Sequence, residues 1–142
     1  MDDPYRLGRF VSAQDSGYGY DAVLAELRAG EKVSHWMWYV FPQVSGLGSS
    51  SMAQQYAIGS LDEARAYLTH PTLTERLHDA VDALLAVEGR SITRILGPVD
   101  AMKLRSSMTL FEAADPADPA FGQVLDRYFE GGRDDRTLEL LG

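Results

Sequence analysis

Two short stretches of the chain concentrate the side chains that could do chemistry. The first is His35, Trp36, Trp38, Tyr39 and Gln43, where both tryptophans and one of three histidines fall within four positions. Indole N–H and imidazole groups need hydrogen-bond partners when buried. The cluster is therefore either an aromatic core with satisfied polar atoms or the wall of a ligand pocket, since aromatic surfaces carrying a few polar tips serve both purposes. The second stretch holds Asp100, Lys103, Ser106, Ser107 and Thr109. Helical spacing puts Asp100, Lys103 and Ser107 on one face at i, i+3 and i+7, opposite an apolar face of Ala101, Leu104, Met108 and Phe111. Three hydroxyl residues are poor choices inside a helix, where they compete with the backbone. A local rule broken in this way points to a site. Lys103 could hold an anion there and Asp100 could move a proton. The plainer account is a solvated Asp–Lys pair contributing at most a few tenths of a kcal/mol.

Between them lies Gly46-Leu47-Gly48-Ser49-Ser50-Ser51, a loop entering a helix. Glycine permits close backbone approach, and a helix N-terminus presents free N–H groups to an anion. The loop lacks the P-loop lysine and does not match G-x-G-x-x-G, so a flexible turn with a serine N-cap is the competing reading. His70 precedes Pro71 at a helix end, where a cation suits the dipole, and His78 is expected on an exposed face. Three scattered histidines give no metal-ligand spacing, and neither G-x-S-x-G nor H-E-x-x-H occurs. No metal or cofactor is expected.

The elements that must position these groups are mainly helical. Asp2 or Asp3 caps a helix with Pro4 at its first position, continued by Leu7, Phe10, Val11 and Gln14. Tyr20, Val23, Leu24 and Leu27 form a second stripe closed by Gly30. Ser60 with Glu63 and Thr72 with Glu75 read as capping boxes, the first helix running to about Thr69 and the second towards Gly89. Ser91 caps a turn ending at Gly97. Pro98 starts a helix to about Ala113, Asp118 and Pro119 open another, and Asp134 or Asp135 caps the last. The apolar run from Ser34 to Phe41 is expected as a short buried helix ended before Pro42, because nothing else offers a partner strand. Gln43 to Ser51 reads as an exposed loop before a helix near Met52 to Ile58. Short linkers and the lack of any repeat give one all-α, compact, multi-helix domain over residues 1–142.

Bulk properties narrow the function classes. A chain of 142 residues that is 45% hydrophobic and 24% charged is globular rather than disordered. It has no cysteine, which excludes disulfides, thiolate metal sites and cysteine nucleophiles. A net charge of −8 argues against nucleic acid and against anionic membrane surfaces. A local basic group could still hold one small anion. No apolar run approaches a membrane span, and the acidic N-terminus lacks a signal-peptide core, so a cytoplasmic location is expected.

The stretch HWMWYVFPQVSGLGSS from His35 to Ser50 resembles the hallmark of a bacterial domain-of-unknown-function family of small helical proteins, often mislabelled calpastatin and exemplified by a mycobacterial conserved hypothetical protein. Ala53, Tyr56 and Ile58 agree with it, as do EARAYLTHPTLTERL (Glu63 to Leu77), GPVDAMKLRSSMTLF (Gly97 to Phe111), and Asp135, Thr137 and Leu138. Glu75 stands where members commonly carry glycine. The resemblance implies a mostly helical fold and no particular activity. Calpastatins are disordered inhibitors, which this globular composition does not fit. It also implies a shared pocket from His35, Trp36, Trp38, Gln43, Ser49, Ser50, Asp100, Lys103, Ser106 and Ser107.

The leading expectation is a ligand-binding or protein-interaction module, with Trp36, Trp38, Gln43, Ser49, Ser50, Ser106 and Ser107 as ligand contacts and a small anionic ligand or a protein as partner. The alternative is an enzyme acting on a small polar or phosphorylated, nucleotide-derived metabolite, such as a glycosidic-bond hydrolase. Lys103 would then hold a phosphate, and Asp100 or His35 would do acid–base work.

Overall fold

A computed structural model describes residues 3–17 and 19–142. Among these residues the chain forms helices and no strand: α1 Gly8–Asp15, α2 Tyr20–Ala29, α3 Met37–Val40, α4 Ser51–Gln55, α5 Leu61–Thr69, α6 Pro71–Ala86, α7 Ile92–Leu96, α8 Pro98–Ala114, α9 Ala120–Phe129 and α10 Asp135–Leu141. The fold is all-α. No helix among the described residues is long and apolar enough to cross a membrane.

The capping chemistry explains most boundaries. Ser50, Ser60, Ser91 and Asp134 each accept a backbone N–H three residues on, opening α4, α5, α7 and α10. Three expectations need correction. Asp3 does cap the first helix, with its carboxylate oxygens accepting Leu7 N at 2.7 Å and Gly8 N at 2.9 Å. Pro4 nevertheless lies in a turn, because Arg6 takes a positive φ of 52° and the helix begins only at Gly8; Asp2 lies outside the described residues. The Thr72–Glu75 box is not formed. Pro71 is the first residue of α6, and His70 Nδ1 accepts Leu73 N at 3.3 Å. His70 is therefore the N-cap of α6. The helix expected to reach Ile58 stops at Gln55. Ile58 is instead extended and bridges to Val44, with Ile58 N donating to Gln43 O at 2.9 Å and Ser45 N to Ile58 O at 2.8 Å.

The core is organised around α6 and α8. α2 and α5 pack on α6, while α5, α7, α9 and α10 pack on α8. An aromatic chain runs through the centre: Phe10 to Tyr67 (5.2 Å between centroids), Tyr67 to Phe111 (5.1 Å) and Phe111 to Phe121 (5.7 Å). From Ser106 to Phe111 every residue of α8 is buried. A helix packed on all sides shows little amphipathicity, which is why polar and apolar residues alternate there without marking a solvent face.

Candidate functional site

The segment between α2 and α3 is tied down by two charged side chains. Glu26 Oε1 accepts Val33 N at 2.8 Å, Ser34 N at 3.0 Å and Trp36 Nε1 at 3.1 Å. Burial alone would push the Glu26 carboxyl up. The hydrogen bonds from Ser34, Val33 and Trp36 outweigh it and hold the group below its ordinary range. Lys32 sends its ammonium 2.6 Å to Ser34 O and 2.9 Å to Asp100 Oδ2, with the Trp36 ring centroid 5.0 Å away. A lysine side chain only 7% exposed and paired with a carboxylate is a fastening between this segment and the first turn of α8. Trp36, 0% exposed, belongs to the core and not to a ligand wall.

Asp100 also faces Lys103, at 3.7 Å from Oδ1. That separation is too long for a hydrogen bond, and the same carboxylate is held more closely by Lys32. The Lys103 ammonium lies 5.3 Å from the Trp38 ring centroid, within cation–π range. Lys103 is thus steadied by a ring and a shared carboxylate, while its own hydrogen-bonding capacity is largely unspent among the described residues.

Lys103 lines an open groove of about 380 Å³, a size within the usual range of small-ligand sites. One wall is the turn carrying Gln43, Leu47 and Gly48; the other is Val99, Met102, Lys103 and Ser106 of α8, with Asp134 and Arg136 at the end. The turn is held by the Val44–Ile58 bridge and by two glycines. Gly46 has φ +103°, and a Cβ on Gly48 would come within 2.5 Å of the Ala53 Cβ. Behind Gln43, a cavity of about 30 Å³ extends between Trp38 and Tyr56.

The hydroxyls of α8 divide their work. Ser106 Oγ lies 3.2 Å from Met102 O and 3.1 Å from Asp134 Oδ2. Thr109 Oγ1 donates to Arg105 O at 2.8 Å and accepts Asp134 N at 3.0 Å. Together they dock the start of α10 on α8, where Asp134 also accepts from Thr137 N at 3.1 Å and from the Thr137 hydroxyl. Ser107 is fully buried, and its hydroxyl has no hydrogen-bond partner among the described residues.

Of the residues singled out from sequence, Gln43, Lys103 and Ser106 share the groove, and Trp38 and Asp100 support Lys103 from behind. Ser50 is occupied as the cap of α4, and Ser49 is exposed with its carbonyl accepting Gln54 Nε2 at 2.9 Å. His35 is exposed and is not among the groove-lining residues. Sequence reasoning missed Lys32, Glu26, Val99, Met102 and Arg136. Of these, Val99 and Met102 carried a readable signal, two apolar residues three apart beside Lys103 on the face away from the core. His78, expected to be exposed, is half-buried: Nε2 lies 2.6 Å from Asp118 Oδ2 and Nδ1 2.6 Å from Thr74 O.

A second open groove, of about 500 Å³, runs over Gly89–Thr93 and Arg127, Tyr128 and Glu130. Its arginines are committed to the scaffold, with Arg90 donating to Gly30 O at 3.1 Å and Arg127 to the Leu85 and Val87 carbonyls. Among the described residues, no group of three or more histidine, aspartate or glutamate side chains could hold a metal.

The family described as "Protein of unknown function (DUF1810)" matches residues 4–141. The crystal structure of the conserved hypothetical protein Rv1873 from Mycobacterium tuberculosis is similar at 52% identity, covering 98% of each chain with a TM-score of 0.94. No curated protein matches the chain.

Proposed function

The chain belongs to the DUF1810 family of proteins of unknown function, and from that premise we propose that it is a cytoplasmic ligand-binding module whose site is the groove between the Gln43–Gly48 turn and α8, taking a small anionic molecule. One observation carries this reading. Lys103 stands in a concave surface with an amide, Gln43, beside it, and its nearest carboxylate is already held by Lys32. A cation positioned but not consumed is what an anion site requires.

Acid–base catalysis would draw on Asp100 and His35. Asp100 sits between two lysines and His35 is outside the groove lining, so no chemical step is assigned. The test is a thermal-shift screen of nucleotides, sugar phosphates and carboxylates against wild type and Lys103→Ala. A ligand at about a hundred times its Kd should add ~2.7 kcal/mol of stability to wild type, and the gain should shrink in the variant. Equal gains in both proteins, or none with any anion, would remove the groove as the site and favour a protein partner.

A further inference from the structure

We infer that the ligand of this groove is an aliphatic monocarboxylate, one anionic group on a saturated apolar body. The inference rests on the groove being the anion site proposed above. The body is read from the walls. Val99 and Met102 are 65% and 72% exposed, and with Leu47 they give the groove a largely aliphatic floor that none of the described residues covers. Large apolar side chains left in solvent around a concave surface mark a surface that something apolar covers, and methionine adapts to flexible chains. Among the described residues, no aromatic ring lines the groove. Trp38 has the Lys103 ammonium over its ring and borders the small cavity behind Gln43, which has room for about one water. A nucleobase would therefore find no stacking platform here.

The head group is read from the charges. The lining carries two cations, Lys103 and Arg136, and one carboxylate, Asp134, whose Oδ2 is already taken by Ser106 and Thr137, while Arg136 is itself paired with Glu139 at 3.3 Å. Asp100 lies just behind Lys103. One negative charge is matched by Lys103, whereas a polyphosphate would be brought against Asp100 and Asp134 in a chain of net charge −8.

Titration calorimetry with butanoate, hexanoate and octanoate tests the assignment, with hexanol, inorganic phosphate and AMP as comparisons. Each added methylene should tighten Kd about fourfold until the floor is covered, hexanol should bind at least tenfold more weakly than hexanoate, and phosphate and AMP should both be weaker than hexanoate. Met102→Ser, at an exposed position, should flatten the series while leaving the fold intact. Lys103→Met should weaken every acid and keep the slope. A flat series, or AMP binding more tightly than every carboxylate, with Lys103→Ala still abolishing binding, would overturn the aliphatic assignment and leave the anion site standing. No response to any anion would overturn both.

Discussion

Lys103 and Trp38 meet across the back of the groove, with the ammonium 5.3 Å from the ring centroid, whereas the neighbouring Trp36 is sealed in the core with its indole N–H on Glu26. Two tryptophans separated by a single residue therefore do different work. Trp36→Ala should cost about 3–5 kcal/mol, the range for deleting a fully buried large ring. Trp38→Ala should cost less, about 1–3 kcal/mol, because that ring is only partly buried. Urea melts of the two variants check the order, and equal losses would mean that Trp38 is also core.

Glu26 is the acceptor that fixes the segment before α3. Glu26→Ala leaves the Trp36 indole and two backbone N–H groups without their partner and should cost about 1–3 kcal/mol. Its folded carboxyl is held below the ordinary value, so its contribution is present above the unfolded pKa and is lost as pH falls through the lowered one. Acid melts should show a shallower decline for Glu26→Gln than for wild type.

Asp134 couples α10 to α8 through Ser106 and Thr109. Asp134→Ala removes the helix cap and should cost about 1–2 kcal/mol. Hydrogen exchange should quicken in α10 before it does in α6. Unchanged protection in α10 would show that apolar packing, not the cap, holds that helix.

His78 titrates in an arrangement readable as a pH response. Burial pushes the imidazolium pKa down, but the hydrogen bond to Asp118, the Thr74 carbonyl, and the charges of Asp118 and Asp82 together raise it above the ordinary 6.5. A raised imidazolium stabilises the fold fully below the unfolded pKa, and the contribution is lost as pH rises through the folded value. Asp118, whose own pKa is lowered, adds its part above the unfolded carboxyl pKa and loses it as pH falls through the lowered one. Proton NMR of the His78 ring should give a midpoint above 6.5 that drops in Asp118→Asn, and an unchanged midpoint would contradict the pairing.

Much of this was legible in the chain because it is local. The stripe of α2 ending at Gly30, the Ser91 cap and the Pro98 start are set by neighbours within a few residues. One failure was local, and the others came from distant partners. Thr72 and Glu75 lost to a His70–Pro71 start, and Ile58 left the helix because Val44, fourteen positions earlier, offered a bridge. Ser106 and Thr109 were unusual for a helix interior, yet their reason is the docking of Asp134, which no spacing reveals. Lys32 gave no signal, since only the fold brings it to Asp100.

Amide chemical-shift mapping with hexanoate locates the anion site. Shifts should concentrate at Gln43–Gly48, Val99–Ser106 and Asp134–Arg136, and should fade in Lys103→Ala. Shifts centred instead on Gly89–Arg94 and Arg127–Glu130, or none at a saturating concentration, would contradict a site in the Lys103 groove.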